Sequence, residues 1–178
     1  YEREGFDIRT HPAGLWSCDE TVTLHLAEDP STSSVYPPNS ALLRRFPDRI
    51  GEPVRRTLSK ELIRGVALDS VFGQTDRGGA DFLKLDIHSA EFEALQGAEK
   101  TLDRVSCVLV GTWHWDIHDG AHLHADVEGL LNKKGFRLYD IRPASRWRVN
   151  STISLQDRSM LVGSESVFFA KRRSLEKS

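Results

Sequence analysis

Residues 81–97 read DFLKLDIHSAEFEALQG. The first seven are almost continuously apolar, interrupted by Lys84, as in a strand covered on both faces. Over 90–104, Phe92, Leu95, Ala98 and Leu102 recur at helical spacing. Ser89 stands where it can cap that helix; Glu91 and Glu93 suit its positive end, and Lys100 and Arg104 its negative end. Gly97 costs about 1 kcal/mol against alanine in a helix interior, so it is expected to allow close packing on the sheet. Asp86, His88 and Ser89 therefore stand where a buried strand hands over to a helix.

Working outward, SCVLVGTW (106–113) reads as the next buried strand. Residues 122–134 read as a second helix, with Leu123, Val127, Leu130 and Leu131 on one face and Gly135 as its stop. FRLYDI (136–141) and SVFFAKR (166–172) supply further strands. Strand–helix–strand–helix–strand predicts a parallel sheet with right-handed crossovers. Ligands of such sheets bind beyond the carboxyl ends of the strands, which puts Asp86, His88, Trp113 and His114 on one rim. Upstream, Phe6 and Ile8 alternate as in a strand, and TVTLHLAE (21–28) alternates cleanly and is expected to pair with it. DPSTSSVYPPN (29–39) is a loop, because Pro30, Pro37 and Pro38 forbid regular structure. SALLRRF is expected to make one or two helical turns. Residues 54–71 have a weak pattern holding a strand or two and a short turn, and 76–79 are a turn.

A chain of 178 residues with 39% apolar and 28% charged residues suits one soluble globular domain. A net charge of -2 gives no basic footprint, which disfavours nucleic acid or an anionic membrane as partner. No apolar run approaches the roughly 20 residues of a membrane span. Two cysteines make no disulfide framework, so a reducing, cytoplasmic setting is expected. The oligomeric state is not legible.

The run FLKLDIHSAEFEALQGAEKTL resembles the junction signature of the FkbM-type methyltransferases, in which a strand ending like KIDVEGAE leads into a leucine-glycine-alanine helix. STSSVYPPN is similar to that family's Ser-Ser loop ending in Pro-Asn, and GFRLYDI with the later SVFFAKR is similar to its closing strands. The resemblance implies an α/β, Rossmann-like methyltransferase sheet, mostly parallel with an antiparallel last strand. It implies S-adenosylmethionine as cofactor and a hydroxyl of a sugar or natural product as methyl acceptor. Residue by residue, it implies Asp86 at a strand tip near the transferred methyl, Ala13 and Gly14 near the adenine, and Ser33 and Ser34 bordering the same cleft. The glycine-rich cofactor loop and the acidic strand tip for the ribose are not found in these residues. Residues 1–171 are accordingly expected to be one partial domain lacking its N-terminal strands and cofactor loop. Within it, 1–80 hold early strands, the Ser-rich loop and an insertion, 81–141 the core repeats, and 142–171 a closing loop and last strand; 172–178 are a tail. His88 and Ser89 stand where the family commonly has Glu and Gly.

Methyl transfer needs alignment of a nucleophile with the methyl group and removal of a hydroxyl proton. Asp86 is the candidate to orient the acceptor or to face the sulfonium, and His88 the candidate base. The plain alternative makes Asp86 a helix cap and His88 a solvated loop residue. WHWDIHDGAHLH (113–124) holds four of the seven histidines. Their spacing matches no metal motif, so no metal is expected. Trp113, His114 and Trp115 are instead the candidates for contact with the acceptor. No GxSxG elbow is present, and Arg142, Arg146 and Arg148 with Trp147 read as a solvated basic face. The alternative function is a non-catalytic carbohydrate-binding or interaction domain derived from the methyltransferase fold.

Overall fold

The structure, a computed structural model, describes residues 8–48, 51–73, 80–147 and 160–171, with the backbone alone at 145–147. Phe6, the turn at 76–79, Arg148 and the tail at 172–178 lie outside the described residues, as do the side chains of Arg146 and Trp147.

Two sheets form. The smaller has the order β1-β3-β2, from β1 (Gly14–Leu15), β2 (Glu20–Ala27) and β3 (Thr57–Val66). β2 pairs antiparallel with β3, Val22 opposite Ile63; most of the expected partner around Phe6 lies outside the described residues. β1 pairs only with the end of β3, in parallel. Between them lie two single-turn helices, α1 (Ser40–Leu43) and α2 (Glu52–Arg55). Asn39 caps α1 by accepting from the Leu42 N–H. α3 (Leu68–Gly73) follows β3.

The larger sheet has the order β4-β5-β7-β6, from β4 (Phe82–Leu85), β5 (Cys107–Trp113), β6 (Phe136–Trp147) and β7 (Met160–Ala170). β4 and β5 run parallel. β7 is antiparallel to both β5 and β6, so the last strand alone runs against the others. Alternation along the strands separates two faces. Leu83, Leu85, Val108, Val110 and Phe168 form one core cluster with Leu95, Ala98 and Leu102 from the α4 region, and with Val127 and Leu131 of α5. Burying each large aliphatic side chain contributes about 1.5–3 kcal/mol. Both helices thus lie on one face. The opposite face carries Phe82, Tyr139 and Phe169 exposed, the last two meeting edge to face at 5.2 Å.

α4 (Glu91–Gln96) is shorter than the periodicity predicts, and α5 spans His124–Lys133. Gly97 ends α4 where the Trp16 carbonyl presses on it; a Cβ there would collide with that oxygen. Beyond it, the Asp69 carboxylate accepts from the Lys100 and Thr101 N–H groups, each at 2.8 Å, and so fixes a separate turn. Ser89 does not cap α4; the N-cap is Ala90, with no side-chain bond. Gly135 stops α5 at φ +89, as glycine allows. Among the described residues, no helix is long and apolar enough to cross a membrane.

Candidate functional site

β4 ends at Leu85, and the chain turns sharply. His88 and Ser89 both take positive φ, 52° and 88°. Left-handed backbone costs roughly 1–2 kcal/mol for a residue with a side chain. Four hydrogen bonds, each worth about 1 kcal/mol, offset that cost. The buried Glu91 carboxyl accepts from the Ile87 N–H at 2.9 Å and from the Ser89 N–H at 2.8 Å. The Ser34 hydroxyl donates to the His88 carbonyl. The Ser89 hydroxyl meets His118 Nδ1 at 2.7 Å. Burial pushes the Glu91 carboxyl up to about 7 against the pull of its backbone donors.

Asp86 projects to the face opposite the helices, where Lys84 Nζ lies 3.1 Å from its carboxylate. Its side chain is 55% exposed, so that pair contributes little to stability. Directly across on β5 is Gly111, where a Cβ would come within 3.2 Å of Asp86 Oδ1. Two residues further along β5, Trp113 lies over Gly163 of β7; a Cβ there would meet two ring carbons at 2.9 Å. The two glycines open a floor. Above it, the Arg55 guanidinium sits 5.1 Å from the Trp113 ring centroid. Arg55 is 8% exposed, and burial lowers its pKa to about 10, which leaves it charged at neutral pH. The His88 ring lies 6.1 Å from Trp113. Its Nδ1 is buried with no hydrogen-bond partner among the described residues. Burial, then the Arg55 charge, pulls the His88 pKa below the usual histidine value, with Asp86 and Asp29 opposing. These groups, with Glu91 and Glu165, line a cavity of about 220 Å³ at the carboxyl end of β4 and β5.

Of the residues expected on this rim, Asp86, His88 and Trp113 meet on the cavity. His114 does not line it; its Nε2 lies 2.8 Å from the Ser164 hydroxyl, and its ring is 4.6 Å from that of His124. Trp115 is 40% exposed and away from the cavity lining. Ala13 lines a different, smaller hollow with Asp19, Arg64 and Ser70. Gly14 pairs with Gly65 in the small sheet. The Ser33 hydroxyl accepts from the Ala27 N–H at 3.1 Å, and the Ser34 hydroxyl is engaged at the β4 tip. Arg55, Gly163 and Glu165 went unnoticed in the sequence, where no spacing ties them to Asp86.

The histidines of 113–124 each have their own partner. Besides His114, His118 meets Ser89, His122 Nδ1 meets Glu93 at 2.8 Å, and His124 Nδ1 meets the Thr112 hydroxyl at 2.9 Å. Among the described residues, no group of three or more His, Cys, Asp or Glu is placed to hold a metal.

Neither a curated protein nor a solved structure matches the chain. The family model described as the methyltransferase FkbM domain matches residues 4–138, which takes in the small sheet, the Ser-rich loop, the β4 tip, β5 and α5. The match covers well over half of the chain, and with it the chain belongs to the FkbM methyltransferase domain family.

Proposed function

We propose that this chain is the acceptor-binding part of an S-adenosylmethionine-dependent O-methyltransferase whose acceptor is a hydroxyl of a sugar or natural product. The observation that carries the reading is the convergence of Asp86, His88 and Trp113 on one cavity, beside the gap that Gly111 leaves at the Asp86 carboxylate. When bound, the cofactor supplies an electrophilic methyl group on a sulfonium. The Asp86 carboxylate offers that cationic end a complementary charge. His88, whose pKa burial lowers, accepts the proton of the acceptor hydroxyl through its imidazole ring on the cavity wall. The Trp113 ring, with the Gly163 backbone beneath it, offers a flat apolar surface to a sugar ring.

The sulfonium end fits these residues; the adenosine end does not fit Ala13, Gly14, Ser33 and Ser34, which lie off the cavity. The proposal therefore places the main cofactor cradle outside these residues, in a domain of which 1–171 are a part. Two features favour this. Among the described residues only β5 flanks β4 in the sheet, although parallel strands are normally interior. Phe82, Tyr139 and Phe169 on the face opposite α4 and α5 are left exposed. A cytoplasmic setting belongs to the same proposal, since Cys18 and Cys107 are both free thiols.

Calorimetric titration with S-adenosylhomocysteine, on this chain and on a longer one joined to its upstream sequence, tests the reading. Weak binding by the short chain and tight binding by the long one are expected, with methyl transfer to glycoside acceptors lost in Asp86→Asn. Tight binding by the short chain would sink the missing cradle, and full transfer by Asp86→Asn would sink the role of Asp86. The second reading, a carbohydrate-binding domain without catalysis, draws on the departure at His88 and Ser89 and on the displaced cofactor-side residues. It requires glycan binding with no transfer by the long chain.

A further inference from the structure

We propose that Ser34, Ser89 and His118 form a lock that holds His88 over the cavity, and that all three are positioning residues for its proton transfer. The functional half of this rests on the reading of His88 as the base; the lock itself does not. Glycine would take the φ of 88° at position 89 without strain. A serine there needs compensation, and histidine visits the left-handed region more readily than most residues. Both residues are tethered from outside their own element. Ser34 takes the His88 carbonyl, and His118 takes the Ser89 hydroxyl at 2.7 Å.

The tethers are themselves fixed. Ser34 bridges to β2, with the His25 N–H donating to its carbonyl at 2.8 Å. His118 bridges to Pro38. Its neighbours are held by the Asn39 N–H on the Ile117 carbonyl and the Asp119 N–H on the Pro37 carbonyl, each 2.9 Å. Ile117 is fully buried with Leu43, Phe46 and Val162. His118 is 2% exposed and does not line the cavity; its hydrogen bond toward the site runs through Ser89, while the Arg55 and His88 charges act on it directly. Burial pushes its pKa down to about 3. The ring therefore stays neutral at physiological pH, where it keeps its bond to Ser89. The charged and aromatic groups facing His88 come from several elements: Asp29 after β2, Arg55 of α2, Asp86 at the β4 tip and Trp113 of β5.

Following the His88 ring by NMR titration, with His88→Gln to assign its signal, tests the lock without donor or acceptor. Ser89→Ala keeps the strained backbone and loses the tether. Its His88 midpoint should move up toward that of a free histidine. Ser89→Gly removes the strain and should leave the midpoint at the wild-type value. His118→Phe should behave like Ser89→Ala, and Ser89→Gly should suppress the defect in the double variant. A merely structural role would lower thermal stability in all of these without ordering the His88 midpoints. Equal midpoints in Ser89→Ala and Ser89→Gly would overturn the lock; that pair decides even if His118→Phe does not fold. Expected midpoints in a long chain that transfers no methyl group would overturn the function and leave the lock standing.

Discussion

The β4 tip and the loop between β5 and α5 are equally rich in reactive side chains, yet they use them in opposite ways. Within four residues, 86–89, the tip delivers Asp86 and His88 to one cavity and accepts strained backbone to do so. The loop spreads His114, His118, His122 and His124 over four separate partners. Two of those rings, His118 and His124, are buried. A buried histidine must be hydrogen-bonded or suffer a desolvation cost, and each of these rings has a hydroxyl or carboxylate within reach. Density of functional residue types is thus no guide to a site; shared direction is. Strand alternation sends Gly111 and Trp113 to the cavity floor, while the Thr112 hydroxyl turns to His124 and the His114 ring to Ser164.

The sharpest way to break this contrast is to exchange histidines in a protein competent for methyl transfer. His88→Gln should cost about 100-fold or more in kcat, the range of a lost general base. His114→Gln should leave kcat near wild type. The acid limb of the wild-type pH–rate profile should fall below the ordinary histidine value, because burial depresses the His88 pKa. Equal losses in the two variants would erase the distinction between rim and loop.

A smaller effect separates the tryptophans. Trp113→Ala should raise the KM for a glycoside acceptor about tenfold, the scale of a lost stacking contact. Trp115→Ala, at an exposed site off the cavity, should leave KM unchanged.

A separate effect is on stability against pH, read by thermal melts. The Glu91 pKa is raised from 4.5 to about 7 in the fold. Its protonated form therefore favours folding below 4.5, and that contribution disappears as pH rises through 7. His118, lowered from 6.5 to about 3, has the opposite sign: its contribution is complete above 6.5 and is lost as pH falls through 3. Glu91→Gln should remove the decline between 4.5 and 7, and His118→Phe should remove the decline on the acid side. A Glu91→Gln profile parallel to wild type would show that the β4 tip gains nothing from its buried carboxyl.

The larger sheet was legible because its strands and helices carry strong periods. DFLKLDI and SCVLVGTW gave β4 and β5, and the leucines after His122 gave α5. β3 was not legible as one strand. Most of its side chains are exposed, Leu58 and Leu62 included, so burial leaves no alternation to read. The pairing of β2 with β3 was not legible for a related reason: β3 begins thirty residues after β2 ends, and pairing across such a gap leaves no local trace. At the site, Asp86 and His88 were visible because they sit at a strand-to-helix change. Arg55 and Glu165 reach the cavity from a single-turn helix and from the last strand. Their assembly is tertiary, and neither lies near the other in the chain.

The meeting of Gly97 with the Trp16 carbonyl has a mechanical consequence. Trp16 directly follows β1, and α4 runs from the β4 tip to Gly97. One helix of less than two turns is therefore the strut between the small sheet and the mouth of the cavity. Even a methyl group at 97 has no room, so a bulkier residue would lever the small sheet away. The disturbance would travel along α4 to Glu91, whose carboxyl grips the turn carrying His88.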